Sequence, residues 1–197
     1  MNYQYKALTS LTANDISFIV SLLKKDKVLV LPTDTIYGLS CRASSYKAFT
    51  KIRRLKNRPD YKPFILLISD LEMANQLADI KPEKLKEIKK IWQTSEPTTI
   101  ILKGQKSVLP FLKSKAGNIS LRLPKSDFLI KIIKELGEPL ISTSLNLSGQ
   151  PALKTVKELD MIFPANLLPD FVFDSGVLDR PPSKIIDYSG NKPFQVR

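Results

Sequence analysis

The chain has no histidine and one cysteine, Cys41, among its 197 residues. Those two shortages exclude more chemistry than anything present invites. A Ser-His-Asp or Cys-His triad has no members to draw on, and a zinc site of the usual His/Cys type has too few ligands. An internal disulfide is impossible, which fits a reducing compartment. No apolar run approaches the roughly 20 residues of a membrane span, and the opening Met1-Asn2-Tyr3-Gln4-Tyr5-Lys6 lacks the apolar stretch of a signal peptide, so no membrane is expected and a cytoplasmic location is. Acidic residues are scarce beside basic ones, 19 against 31, leaving a formal charge of +12. That imbalance favours phosphate-bearing partners such as nucleotides, RNA or anionic membrane surfaces, and charge alone does not choose among them. Any enzyme here must work with carboxylates and lysines, or with nucleophiles that its substrates bring. With 43% hydrophobic residues the length suits one sizeable core, so a single domain over 1–197 is expected.

Helical and strand patterns alternate along the chain, an α/β or mixed signature without repeats. Thr12 and Asp15 form a capping-box pattern ahead of Ile16, Ile19, Val20 and Leu23 at helical spacing. Val28–Leu31 reads as a strand buried on both faces, and so does Phe64–Ile68. Between them, Ala48, Phe49, Ile52 and Leu55 define one side of a helix over 45–55, so that Lys51, Arg53, Arg54 and Lys56 fall largely on the solvent side. Pro59 is expected to end that helix. The stretch Lys56 to Phe64 then packs three cations, Lys56, Arg58 and Lys62, into seven residues, which reads as an anion site on a stiffened loop. Further on, Ser69-x-x-Glu72 is a helix cap, Pro82 opens a helix with Leu85, Ile88 and Trp92, and 98–102 is a strand. The lysine-rich segment 104–117 is an exposed loop. Asn118–Pro124 alternates, with Ile119, Leu121 and Leu123 on one face and Ser120 and Arg122 on the other. A helix ended by Gly137 leads into the strand 139–141, from which the polar turn Ser142-Thr143-Ser144-Leu145-Asn146-Leu147-Ser148-Gly149 emerges where α/β sheets place ligands. Thr155-x-x-Glu158 caps a short helix, and 171–173 and 183–188 are strands.

Three of these stretches in this order, Pro32-Thr33-Asp34-Thr35-Ile36-Tyr37-Gly38-Leu39, Lys56-x-Arg58-Pro59 and Ser142 to Gly149, resemble the YrdC family of threonylcarbamoyl-AMP synthases. The likeness runs from about Thr12 to the C-terminus and takes in Ser183, Ile185-Ile186-Asp187 and Arg197. It implies a twisted, mostly open mixed α/β sheet with helices packed on it and a basic concave nucleotide-binding face. It also implies an activity: the amine of L-threonine takes up bicarbonate or carbon dioxide, and the product attacks the α-phosphate of ATP. Pyrophosphate then leaves, and threonylcarbamoyl-AMP passes to a downstream transferase complex that modifies adenosine beside the anticodon of tRNA. Carried over by position, Lys56, Arg58, Ser144 and Asn146 form the catalytic tetrad around the ATP phosphates. Lys62, Asn118 and Arg197 are further ATP contacts, and Thr33, Arg122, Ser142 and Ser183 match threonine-binding positions. Thr35 and Tyr37 line the site, the latter by packing. ATP is a substrate, with magnesium bound mainly through its triphosphate, and no protein metal site is implied. The residues suit this chemistry on their own terms, because threonine supplies the nucleophile and the protein has only to align two anions and offset their charge.

The sequence departs from the family pattern at Glu96-Pro97-Thr98-Thr99, at Leu145 where alanine is usual, and at Leu67, near which some relatives place a histidine. Two other classes are weighed, the first implied by the resemblance and the second suggested by the charge. One is carbamoyl transfer, which belongs to much longer chains; the other is an RNA-binding module, for double-stranded RNA or tRNA, without turnover.

Overall fold

The structure is a computed structural model that describes residues 3–8, 12–59, 63–190 and 192–197. Strands β1 (Gln4–Ala7), β2 (Leu29–Leu31), β3 (Gly38–Arg42), β4 (Ile65–Leu67), β5 (Thr98–Lys103), β6 (Asn118–Arg122), β7 (Leu140–Ser144), β8 (Phe171–Asp174), β9 (Lys184–Asp187) and β10 (Phe194–Gln195) form one open mixed sheet. Its order is β1-β8-β2-β3-β7-β4-β6-β5-β9-β10. Helices α1 (Ala13–Lys24), α2 (Tyr46–Lys56), α3 (Leu71–Leu77), α4 (Pro82–Gln93), α5 (Asp127–Leu136) and α6 (Leu159–Ile162) pack on it.

Strand alternation sorts side chains between two layers. On one face Val28, Val30, Leu39, Cys41, Leu66, Ile100, Leu102, Ile119, Leu121 and Ile141 meet Phe49, Ile52 and Leu55 of α2 and Ile88 and Trp92 of α4. On the other, Leu29, Leu31, Leu67, Leu140, Phe171 and Phe173 meet Ile16, Ile19, Val20 and Leu23 of α1 and Leu129, Ile132, Ile133 and Leu136 of α5. Each fully buried aliphatic side chain contributes about 1.5–3 kcal/mol, so eight from α1 and α5 fix that pair firmly. The two helices cover only part of their face. Beyond them the same face carries polar residues: Ser40 between Leu39 and Cys41, Ser142 after Ile141, Ser120 and Arg122 flanking Leu121, and Thr99 ahead of Ile100.

Local expectations are met with some corrections. Thr12 and Asp15 make the full capping box. Helix α2 is stopped by Asn57, in the left-handed conformation at φ 47° and ψ 47°, and not by Pro59, which lies two residues beyond. Lys56 is not on the solvent side; it is 1% exposed. Asp70, not Ser69, caps α3 by accepting from the Met73 amide at 2.9 Å. Ser142, Thr143 and Ser144 belong to β7, where they pair with Ser40, Leu39 and Gly38, and not to a turn. The loop 104–117 contains a 3-10 turn at Pro110–Leu112. The chain's last residues pair through β10 onto β9, and β1 pairs in parallel with β8; neither strand is legible in the sequence pattern.

Candidate functional site

Two polar clusters lie along β7: one at the end of the strand, where α2 of the opposite layer stops, the other on the half-face that α1 and α5 leave uncovered. The first gathers at the C-terminal end of α2. Four residues after Ile52 and seven after Phe49, Lys56 shares the buried face of α2, and its ammonium donates to the backbone oxygens of Ser144 at 2.5 Å and Asn146 at 2.9 Å, and to Oδ1 of Asn146. Ser144 Oγ, 3.5 Å from the same nitrogen, donates to Asn146 Oδ1 at 2.7 Å. Asn146 Nδ2 donates in turn to the Gln150 carbonyl. Burial first, and then the charge of Arg58, hold the Lys56 pKa down at about 7. Arg58 donates to the Pro63 carbonyl at 2.7 Å and lies over the Phe64 ring at 4.7 Å. Burial, followed by Arg53, lowers its pKa to about 10. The structure thus brings Lys56, Arg58, Ser144 and Asn146 together; Lys62 lies outside the described residues.

The second cluster surrounds Arg122. Its Cα neighbours across the ladder are Leu67 on β4 and Thr99 on β5. Arg122 is 5% exposed; its guanidinium pairs with Asp34 through Nη2, while Nη1 donates to Thr35 Oγ1 at 3.2 Å. Asp34 Oδ2 also accepts from the Lys125 amide at 3.0 Å. Arg122 Nε is left as a buried donor with no partner among the described residues. Such a donor costs about 1–3 kcal/mol unless a ligand or water meets it. Burial lowers the Arg122 pKa, Asp34 opposes that shift, and the charge of Arg197 adds to it. Arg197 grips the Ser183 carbonyl with Nε at 3.2 Å and Nη2 at 3.0 Å, and Ser183 Oγ lies 2.9 Å from Thr99 Oγ1.

Gly38 explains how the two halves approach one another. A Cβ there would stand 2.4 Å from Ser142 Oγ and 3.4 Å from both Ser40 Oγ and Thr33 Cγ2. Only glycine lets these three side chains crowd one point. Ser40 Oγ donates to Ser142 Oγ at 3.2 Å. Thr33 Oγ1 is engaged within its own turn: it donates to the Ile36 carbonyl at 2.6 Å and accepts from the amides of Thr35 at 3.1 Å and Ile36 at 3.2 Å. It therefore shapes the turn that presents Asp34 and Thr35 to Arg122. Ser142 and Ser144 stand two residues apart on one face of β7, about 6.7 Å at the usual strand rise. Asn118, on the same side of β6 as Ser120 and Arg122, sits at the opposite end of that strand, half-buried.

Some residues lie apart from both clusters. Tyr37 is fully buried, with its single hydroxyl proton within reach of Gly176 O at 2.7 Å and Asp174 Oδ1 at 2.9 Å, so it packs the turn from behind. Leu67 is packed in the α1–α5 layer, Leu145 lies in the opposite core, and Glu96 forms an exposed pair with Lys184 at 2.8 Å. Asp34 was not singled out as a site residue in the sequence, although it occupies the middle of the first motif; its partner is 88 residues away, and nothing local signals the pairing. Among the described residues no group of three or more His, Cys, Asp or Glu side chains is arranged to hold a metal ion, and no helix is long and apolar enough to cross a membrane. The carboxylate nearest the site, Asp34, is already paired, so the donor set does not fit a resident divalent ion.

Comparison with known proteins bears on the whole arrangement. Residues 21–197 match the model of the Sua5/YciO/YrdC family, described as telomere recombination. The threonylcarbamoyl-AMP synthase of Psychromonas ingrahamii is 30% identical over 173 residues, covering 86% of this chain and 90% of that protein. The crystal structure of E. coli YciO superposes with a TM-score of 0.86 at 28% identity, covering 99% of this chain and 94% of that one. P. abyssi Sua5 complexed with L-threonine also gives 0.86, at 23% identity, covering 99% of this chain and 56% of the other.

Proposed function

The chain belongs to the Sua5/YciO/YrdC family, and from that premise and the geometry of the site we propose that it is a threonylcarbamoyl-AMP synthase. One observation carries the reading. Strand β7 sets Ser142, near Thr33 and one same-face step from the row of Arg122, two residues from Ser144, beside Lys56, so an amino acid and a nucleotide phosphate fit at neighbouring positions along one strand. The threonine carboxylate lies against Arg122, whose unpartnered Nε is the donor it meets, and Ser142, Thr33 and Ser183 surround the rest of the molecule. The amine stays free to add to carbon dioxide, forming an N–C bond and releasing one proton to give the carbamate; from bicarbonate the same carbamate forms with loss of water. The new carbamate oxygen forms a bond to the α-phosphorus of ATP while the bond from that phosphorus to the β-phosphate oxygen breaks, and pyrophosphate carries away the electron pair.

No protein nucleophile takes part, in keeping with a chain that has no histidine. Arg58, with Lys62, Asn118 and Arg197, holds the nucleotide. Lys56 adds charge and fixes the Ser144–Asn146 turn, so that oriented dipoles and cations face the reacting phosphorus. Magnesium enters as the counter-ion of the triphosphate. The whole of 1–197 acts as one catalytic domain in the cytoplasm, and its product feeds a transferase that modifies tRNA. The test is pyrophosphate release with ATP, threonine, bicarbonate and magnesium, each omitted in turn. Release should stop when any one is withheld; ATP cleavage that continues without threonine overturns the reading.

A further inference from the structure

Strand β4 runs between β6, which carries Arg122, and β7, which carries Ser142, because the sheet order there is β7-β4-β6. Its ladder partners fix what it presents to the open half-face. Leu67 stands level with Arg122 on β6 and Leu140 on β7, and Ile65 stands level with Ser120 and Ser142. Ser120 is level in turn with Ile101 on β5, and Ser142 with Ser40 on β3. Residues in register share a face, so one row reads Ile101, Ser120, Ile65, Ser142, Ser40. Leu67 is 1% exposed and sealed into the α1–α5 layer, whereas Ile65 packs only on the margin of that layer and keeps part of its surface open. The hydroxyls beside it are differently committed. Ser142 Oγ lies 3.2 Å from Ser40 Oγ, and Ser120 Oγ bonds to no described residue.

An amino acid held by its carboxylate at Arg122 and reaching toward Ser142 has to lie across β4, since the span from β6 to β7 is two strand spacings, about 10 Å. Of the two side chains that β4 offers there, only Ile65 has free surface to meet it. We propose that Ile65 selects the amino acid at its β-carbon: the methyl of threonine rests on Ile65, and its hydroxyl turns to the serines on either side, Ser120 and Ser142. The inference rests on the synthase reading and names the group that reads the side chain. Arg122 cannot do so, because every amino acid brings the same carboxylate. Serine has the hydroxyl and lacks the methyl, so it leaves Ile65 uncovered. The analogue 3-hydroxynorvaline has an ethyl group in place of the methyl and runs into Ile65. One carbon more or less in an apolar pocket changes discrimination by about 10–200-fold.

The test uses the full chain and compares kcat/KM for threonine, serine and 3-hydroxynorvaline in pyrophosphate release, with calorimetric binding of the same three amino acids. The parent should prefer threonine over each of the others by about tenfold or more. Ile65→Ala should lower the threonine-to-serine ratio by about tenfold, and should raise 3-hydroxynorvaline relative to threonine by about as much, because the shortened side chain makes room for the extra carbon. Ile65→Val, one carbon shorter than the parent residue, should fall between the two. Ratios taken on one sample cancel the folded fraction, so a less stable variant cannot imitate the result. The proposal is overturned if Ile65→Ala keeps the parent's ratios in both turnover and binding, or if the parent handles serine as well as threonine. A parent that binds threonine in preference to serine, loses that preference in Ile65→Ala and yet releases no pyrophosphate would overturn the synthase reading alone.

Discussion

Arg122 is held in its working orientation by groups that belong to the protein. Asp34 and Thr35 occupy its two terminal nitrogens and leave Nε as the unmet donor, so the fork cannot swing when a carboxylate arrives. A lysine at this position would keep the charge and lose the planar geometry. Arg122→Lys should therefore raise the apparent KM for threonine at least ~10-fold, equivalent to about 1.4 kcal/mol, while the KM for ATP barely changes. Parallel titrations of the two substrates on the folded variant check this; a loss confined to ATP would move Arg122 to the nucleotide half. Lys56 is a different case, because its charge is only partly developed near neutrality, at a pKa of about 7. The phosphates of ATP favour the ammonium, so the bound-state pKa is the higher one. Between the two values binding must take up a proton, and affinity falls as pH rises, by up to about tenfold per pH unit. Calorimetry of ATP binding near pH 8, in two buffers of different ionisation enthalpy, should show uptake approaching one proton per ATP. Zero uptake in both would mean that Lys56 is already fully charged in the free protein.

At the scale of elements, the C-terminal hairpin completes the site. Strand β10 pairs with β9, the Arg197 backbone oxygen accepts from the Ile185 amide at 3.0 Å, and its guanidinium holds the Ser183 carbonyl. Removing 192–197 should weaken ATP binding more than threonine binding, as measured by equilibrium binding of each ligand, and equal affinity for ATP would exclude Arg197 from the nucleotide contacts. Elements with a strong local pattern were legible from sequence: the capping box of α1, the periodicity of α5 with Gly137 beyond it, and the alternation of β6. Those defined by distant partners were not. Strand β1 is exposed throughout and exists because β8 offers an edge; β10 is two residues long and exists because of β9. The burial of Lys56 was legible in the helical spacing, since it stands four residues after Ile52 and seven after Phe49 on the apolar face of α2; its charge, not its position, suggested solvent. The family resemblance likewise pointed to the four residues of the Lys56 group, which fold together, but it gave no sign of Asp34, whose ion pair with Arg122 depends on the order of strands and not on neighbours in the chain.

Over the whole molecule, the sheet divides its work by face and by half. Helices α1 and α5 cover one half of one face with apolar contacts, and the other half carries Arg122 with its Asp34 partner and the hydroxyls of Ser40, Ser120 and Ser142. A chain with 31 basic and 19 acidic residues repels itself, and ion pairs such as Lys184–Glu96 and Lys154–Asp179 are exposed and contribute little. Screening of that repulsion should therefore outweigh screening of the pairs. Raising sodium chloride from about 0.01 to 0.15 M shortens the Debye length from about 30 to 8 Å, so the melting temperature should rise. ATP or pyrophosphate at the same ionic strength should raise it further, because a ligand held by the folded site at 100 times its Kd adds about 2.7 kcal/mol, roughly 5–10 °C for a domain of this size. Thermal melts in matched salt series separate the two effects. A melting temperature that falls with sodium chloride would mean that the surface pairs outweigh the net charge. A response to pyrophosphate no larger than that to chloride would mean that the Lys56 and Arg58 cluster is not a phosphate site.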